Sequence, residues 1–171
     1  MTTPNLPPRF LPEEPLPPYS FVPGKVPHPV SDPAGHLYGK PPERPAPIDP
    51  ENWRESRAYL RGLDLFNHGF FWEAHEVWEG LWHAAGRKGV TADFLKGLIK
   101  LAAAGVKFRE GRPDGVRSHL ARAGELFRRV SQVQNGAVDR LLGLSLHDLI
   151  QWTAETETAS ANFDLILLPL R

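Results

Sequence analysis

The residues best suited to chemistry lie in one short segment, residues 70–79, which reads FFWEAHEVWE. Imidazole and carboxylate groups bind divalent metals and transfer protons near neutral pH. His75 and Glu79 are four residues apart, so a helix would place them on adjacent turns of one face. Such a pair can supply two metal ligands, and Glu76 adds a second carboxylate beside them.

Two stripes of residues run along this predicted helix, and within each stripe successive residues are four, three and four positions apart. The first is Phe71, His75, Trp78 and Trp82, and the second is Trp72, Glu76, Glu79 and His83. We expect the first stripe to face the core, which would set an imidazole and carboxylates among aromatic rings. Ionised carboxylates are costly there unless they are paired, hydrogen-bonded or bound to a cation. The pattern therefore indicates either a metal site or a set of structural ion pairs.

Two well-specified metal motifs do not fit this segment. The zinc-protease signature needs two histidines four residues apart, but Glu79 stands where the second is required. The di-iron bundle pattern needs Glu-x-x-His on two helices, but Trp72 stands where the glutamate is required. Three interpretations stay open: a metal or catalytic site, a partner-binding surface, or a structural role in which His75 and Glu76 hydrogen-bond the loop ends or pair with a neighbouring basic residue. The available basic residues are Arg57, Arg61, Lys96 and Lys100.

The proline-rich beginning of the chain holds three further candidate ligands. His28, Asp32 and His36 follow one another at intervals of four, among prolines. If this arm folds over the predicted helix, the three residues would complete a site begun by His75, Glu76 and Glu79. Three or more nitrogen and oxygen ligands with an open position suit a catalytic divalent metal such as Zn, Mn or Fe. The alternative is that they are ordinary turn residues between prolines.

The distribution of proline divides the chain. Sixteen of the 18 prolines lie in residues 1–50, and proline excludes a continuous helix or a central strand. We therefore predict an extended proline-rich arm over residues 1–48, partly packed on a helical bundle domain over residues 49–171. The arm also carries large apolar side chains, which solvated tails seldom do. We expect residues 16–39 to lie on the domain and residues 1–12 to be loose.

Helical periodicity predicts about five helices after the arm. The first spans roughly residues 50–67 and the second roughly 70–84. Short connections between amphipathic helices imply antiparallel neighbours, so the predicted fold is an all-α antiparallel helical bundle. Gly97 and Gly105 would let another helix approach the third one closely, within the chain or in a dimer. Residues 163–170 are apolar and should pack as an extended segment. The predicted helix caps are Asp49, Thr91 and Ser145.

Composition excludes several classes of function. Twenty basic residues balance 20 acidic ones, for a net charge of +0 at pH 7, so general attraction to nucleic acid or anionic membranes is not expected. The arginine-rich fourth helix suggests RNA or an acidic partner, with a solvated basic face as the alternative. Cysteine is absent, the first residues lack a signal-peptide pattern, and the aliphatic run 165–168 is too short to cross a bilayer. We expect a cytoplasmic protein with no membrane partner.

The segment 65–82, LFNHGFFWEAHEVWEGLW, resembles the core of the bacterial domain-of-unknown-function family 309. The later segment 94–103, FLKGLIKLAA, looks like the third-helix motif of the same family. The resemblance covers roughly residues 50–130. It implies a helical fold and a metal-dependent hydrolase, which is the label that the family bears without an established substrate. Carried over to this chain, the ligands or acid/base groups are His75, Glu76 and Glu79.

Two functions from different classes follow. In the first, the protein is a metal-dependent hydrolase of a small molecule with His75 and Glu76 as catalytic residues. Glu76 acts as base on a metal-bound water, and His75 and Glu79 help to hold the metal. In the second, the chain is a non-enzymatic helical interaction module, binding a protein partner or forming a homodimer, and His75 and Glu76 are structural.

Overall fold

Five helices follow one another in the computed structural model, which describes residues 6–135, 139–159 and 163–169. The helices are α1 (Arg57–Asn67), α2 (Phe71–Ala84), α3 (Val90–Arg109), α4 (Pro113–Val133) and α5 (Leu146–Ala159). A 3₁₀ turn (Trp53–Glu55) precedes α1, and an antiparallel hairpin of β1 (Arg140–Leu141) and β2 (Leu144–Ser145) precedes α5. The prediction of an all-α bundle of about five helices is confirmed for the described ranges.

Each helix packs against the next one along the chain, from α1 on α2 to α4 on α5. Because short turns join the first four helices, neighbouring helices run in opposite directions. The core between them is mainly apolar: Trp78 of α2, Leu98 of α3 and Phe127 of α4 have no exposed surface. Burial of such side chains supplies the main driving force for folding.

Two glycines of α3 allow its neighbours to approach closely. A Cβ atom added at Gly97 would lie 2.4 Å from the Phe127 ring of α4. One added at Gly105 would lie 2.5 Å from the Phe71 ring of α2. The small residues of α3 therefore serve packing within the chain, one of the two roles that the sequence left open.

The first helix begins later than its sequence predicts. Ser56 caps α1, since its hydroxyl accepts a hydrogen bond from the Tyr59 N–H at 3.3 Å. The predicted cap, Asp49, instead accepts a hydrogen bond from the Glu51 N–H at 3.0 Å and closes a separate turn. A short polar side chain marks where the backbone turns, but it does not decide whether a helix continues from there.

The starts of α3 and α5 differ in how well they were predicted. α3 begins at Val90 behind Gly89, whose φ of +97° favours glycine, so Thr91 lies inside the helix and is not its cap. The cap of α5 is confirmed, because the Ser145 hydroxyl accepts a hydrogen bond from the Asp148 N–H at 3.1 Å.

A buried carboxylate holds the proline-rich arm against α1. The side chain of Asp64 is 1% exposed, and its two oxygens accept hydrogen bonds from the backbone N–H groups of Phe10 at 2.7 Å and Leu11 at 2.8 Å. The expectation that residues 1–12 are loose is therefore wrong at these two positions. Residues 1–5 lie outside the described ranges.

The segment 163–169 carries no helix or strand and packs on the bundle, as expected for this apolar run. Asn67, the last residue of α1, forms two buried hydrogen bonds with it. Its amide donates to the Leu167 carbonyl at 2.9 Å and its carbonyl accepts from the Leu167 N–H at 2.8 Å. One side chain therefore pairs with the segment as a neighbouring strand would.

Replacing Asn67 should loosen this C-terminal segment. In Asn67→Ala, the Leu167 N–H and C=O groups lose their partners in a buried site, so we expect the free energy of unfolding to fall by about 2–4 kcal/mol. Urea denaturation measures the change. Gln151→Ala is the matched control, because it removes an exposed amide and should change stability by less than about 0.5 kcal/mol. Equal losses in the two variants would contradict the pairing role.

Candidate metal centre

The buried stripe of α2 determines how its polar residues are placed. The residues that face the core are Phe71, Ala74, Trp78 and Leu81. His75 follows the buried Ala74 by one position, which rotates it by about 100° toward the edge of the packed face. Its side chain is 27% exposed. The expectation that His75 faces the core is therefore wrong, and the residue lies at the boundary with solvent.

His75, Glu76 and Glu79, which we call the α2 triad, converge at this boundary. The Nδ1 atom of His75 lies 3.3 Å from Glu76 Oε1 and 4.0 Å from Glu79 Oε2. One potential ligand atom from each residue lies within 4.8 Å of the others. The carboxylate side chains are 46% and 34% exposed, so the triad is open to solvent.

The polar atoms of the α2 triad are not used to hold the helices together. Arg57 pairs with Glu13 of the arm at 2.9 Å. The ammonium of Lys96 lies 4.0 Å from the centre of the Trp82 ring. In the parts of the chain that the structure describes, no lysine or arginine forms an ion pair with His75 or Glu76. The structural interpretation of these two residues therefore lacks the basic partner that one of its two forms requires, and the described side-chain hydrogen bond joins the two residues to each other.

The arm reaches α2 at Trp72, three residues before His75. The His28 ring packs edge-on against Trp72 with their centres 5.3 Å apart. Its Nδ1 atom accepts hydrogen bonds from the Val30 and Ser31 N–H groups, both at 3.2 Å. This nitrogen therefore closes a turn of the arm.

Asp32 and His36 are also engaged within the arm. Asp32 accepts a hydrogen bond from the Ala34 N–H at 2.8 Å. The His36 ring packs edge-on against Tyr19, and burial, with a smaller effect of Lys40, lowers the pKa of His36. Among the described residues, the group with metal-ligand spacing contains the α2 triad and does not include either residue or His28. The structure thus does not bring the arm's candidate ligands to this group.

Glu73 is the buried carboxylate of α2. It is 5% exposed, and its Oε1 atom accepts a hydrogen bond from the Phe21 N–H at 2.8 Å. Burial raises the pKa of Glu73, the Phe21 N–H opposes this rise, and the charge of Glu76 adds to it. The residue therefore holds the arm on α2, as Asp64 does on α1. The sequence does not distinguish it from the exposed acids of the same helix.

Lys100 of α3 and His119 of α4 interact electrostatically with residues of the α2 triad; the sequence suggested Lys100 only as a basic partner and indicated no role for His119. Burial lowers the pKa of Lys100, and the charge of Glu79 opposes part of this lowering. Burial lowers the pKa of His119, with further lowering by Lys100, Lys107 and then His75. The sequence contained one indication of a basic surface here, because Lys100 and Lys107 are seven residues apart and so lie on one face of α3.

A groove of about 770 Å³ lies elsewhere, between α1 and residues 43–49 of the arm. Two of its arginines are engaged within the protein: Arg61 donates a hydrogen bond to the Pro15 carbonyl at 2.6 Å, and Arg57 pairs with the arm's acids. The α2 triad does not line this groove. The polar atoms of the α2 triad contact one another and no basic side chain pairs with His75 or Glu76 among the described residues, so the α2 triad is the stronger candidate metal site.

One comparison with known proteins matches the part of the chain that contains the α2 triad. None of the helices in the described ranges combines the length and the hydropathy that a bilayer crossing requires. No curated protein matches the chain significantly. The family model described as "Domain of unknown function (DUF309)" matches residues 59–119, which include the α2 triad and run into α4. Over residues 59–119, the chain is thus similar to the DUF309 family.

Proposed function

We propose that the protein is a metal-dependent hydrolase whose divalent metal site is the α2 triad. The observation that carries the proposal is the convergence of one imidazole and two carboxylates within 4.8 Å, with no basic side chain paired to His75 or Glu76 among the described residues. Two neighbouring carboxylates repel each other, and a bound cation relieves this repulsion. The metal-dependent hydrolase label that the family resemblance implies supports the same interpretation.

The spacing of the ligand atoms suits a transition metal. Ligand atoms about 2.1 Å from a tetrahedral zinc ion lie about 3.4 Å from one another. His75 Nδ1 is 4.0 Å from the nearest Glu79 oxygen, close to this separation, and the Glu76 oxygen 3.3 Å from Nδ1 would lie next to an ion held by these two residues. Nitrogen and oxygen donors of this kind bind Zn, Mn or Fe. The exposed side leaves positions for water and substrate, as catalytic sites require.

The residues of the α2 triad take different roles in this proposal. When bound there, a divalent cation lowers the pKa of water and so supplies a nucleophile at neutral pH. His75 and Glu79, on adjacent turns of one face, hold the cation. Glu76 is the most exposed of the three side chains and acts as general base, accepting the proton of the attacking water.

Metal binding should depend on the α2 triad. Tag-free protein titrated with Zn²⁺ or Mn²⁺ in a calorimeter should bind about one ion per chain. His75→Ala and Glu79→Gln should each weaken binding at least tenfold, because even the loss of a residue that only supports a ligand costs about 10–100-fold. His83→Ala, which removes an exposed histidine from the end of the same helix, should leave binding unchanged. Weak binding that none of these substitutions alters would reject the site.

The rate of hydrolysis should distinguish the general base, Glu76, from the residues that hold the metal. With p-nitrophenyl phosphate and p-nitrophenyl acetate as chromogenic substrates, Glu76→Gln should retain the metal and lose about 10²–10⁴-fold in rate, which is the usual contribution of a general base. Metal-dependent turnover that persists in Glu76→Gln would show that this residue is not the base.

A further inference from the structure

The packing of α3 aligns a row of its residues with the α2 triad. Lys96 of α3 lies over Trp82 near the end of α2, and Gly105 lies against Phe71 at its beginning. Since the two helices run antiparallel, the positions between these contacts, including Lys100, lie alongside the α2 triad. The charge of Glu79 acts on Lys100, in agreement with this register.

The first turns of α4 bring His119 to the same region. A Cβ atom added at Gly115 would lie 2.9 Å from the Lys107 side chain, so the beginning of α4 packs on the end of α3. His119 follows Gly115 by one helical turn, on the same face. His75 and Lys100 both act electrostatically on the His119 imidazole. His119 thus lies near both the α2 triad and Lys100.

Lys100 differs from its cationic neighbours in having no partner. Lys107 pairs with Glu110 at 2.6 Å, and Arg122 pairs with Glu125 at 2.8 Å. In the described part of the chain, no ion pair or hydrogen bond engages the Lys100 ammonium. Burial lowers the pKa of Lys100, and the charges of Lys96 and Arg122 lower it further, so that the opposing charge of Glu79 offsets only part of the lowering.

A half-buried ammonium beside other cations is unfavourable unless an anion compensates it. We propose that Lys100 and His119 bind the phosphate group of a phosphorylated small-molecule substrate beside the α2 triad. A phosphomonoester is a tetrahedral dianion, which matches an ammonium, an imidazole N–H donor and a neighbouring divalent cation. This inference deepens the proposed function and rests on it for the reaction, though not for phosphate binding itself.

The reaction that follows is the hydrolysis of a phosphomonoester. The water oxygen forms a bond to phosphorus while the ester P–O bond breaks. Glu76 accepts one proton from the water, and the departing alkoxide takes a proton from solvent to leave as an alcohol. Lys100 and His119 compensate the charge of the phosphoryl oxygens, which is the main contribution a protein makes to phosphoryl transfer.

Inorganic phosphate is the probe that tests this site in the full chain without added metal. Calorimetric titration should show saturable binding that Lys100→Met weakens at least tenfold, the usual effect of losing a charge-assisted hydrogen bond. Lys100→Arg should retain most of the affinity, and His119→Asn should weaken it severalfold. Lys88→Met removes an exposed lysine of the loop between α2 and α3 and should have no effect. Phosphate binding that is absent, or equal in Lys100→Met and Lys88→Met, would overturn the inference.

The failure of this inference can be distinguished from failure of the proposed function. Lys100→Met should bind Mn²⁺ at least as tightly as the wild type, because a nearby positive charge has been removed. His75→Ala should lose Mn²⁺ and keep phosphate. If the wild-type protein binds phosphate through Lys100 but binds no metal, the proposed hydrolase function is rejected and the phosphate site stands. If the protein binds metal through the α2 triad but its phosphate affinity does not depend on Lys100, the phosphate site is rejected and the proposed metal site stands.

Discussion

Gly62→Ala should lower the free energy of unfolding by about 2 kcal/mol, even though alanine is the better helix former. Gly62 lies buried in α1, and an added Cβ atom would lie 2.0 Å from Nε1 and 2.5 Å from Cε2 of Trp78. The indole has no exposed surface and packs on Phe66 with the ring centres 5.8 Å apart, so it has little freedom to move. Severe overpacking costs about 3 kcal/mol, and the gain in helix propensity returns about 1 kcal/mol.

A double-mutant cycle tests whether the clash with the indole causes this loss. Trp78→Phe removes the pyrrole nitrogen that the new methyl would meet, so the double variant should be more stable than the sum of the single losses by at least about 1 kcal/mol. Gly80→Ala is the comparison within α2, because its nearest atom is Pro45 Cδ at 3.3 Å and its effect should be much smaller. Additive losses, or equal effects at Gly62 and Gly80, would place the cause elsewhere. Urea denaturation gives each free energy.

The helices whose apolar periodicity is dense were predictable from the sequence. The second helix was predicted near residues 70–84 and is Phe71–Ala84. The contact of His75 with Glu79 follows from their spacing in one helix, which needs no knowledge of the tertiary fold. The spacing did not predict how far the His75 side chain is buried, because its burial depends on which residue of α2 lies at the centre of the packed face.

The parts that were not predictable depend on contacts between distant segments. Lys100 and His119 approach the α2 triad only through the register of α3 against α2 and α4. The anchoring of the arm depends on Asp64 and Glu73, which look like ordinary surface acids of amphipathic helices until their oxygens are seen to accept backbone N–H groups of the arm. No local pattern encodes either relation, since a helix sequence specifies its own faces but not the register of its neighbours.

Asp64→Asn should detach the beginning of the arm and lower the free energy of unfolding by about 2–4 kcal/mol. The carboxylate offers two acceptor oxygens to the N–H groups of Phe10 and Leu11. An asparagine keeps one acceptor and turns an NH₂ group toward the other N–H, so two donors face each other in a site that is 1% exposed. Hydrogen bonds to charged groups contribute about 1.5–3 kcal/mol each, and leaving a buried donor unpaired adds to the loss.

Trypsin provides a local measurement of the same change, because the Arg9–Phe10 bond lies directly before the anchored residues. The Arg9 guanidinium donates to the carbonyls of Pro12 at 2.6 Å and Glu14 at 2.5 Å, so the side chain that trypsin must bind is held within the arm. Asp64→Asn should accelerate cleavage after Arg9, which mass spectrometry follows by the loss of the first nine residues. Asp114→Asn, at a carboxylate whose side chain is 93% exposed, is the matched control and should change neither cleavage nor stability. If cleavage is unchanged while stability falls, Asp64 supports α1 itself and the arm is held by its other contacts, of which the Glu73 hydrogen bond to the Phe21 N–H is the most buried.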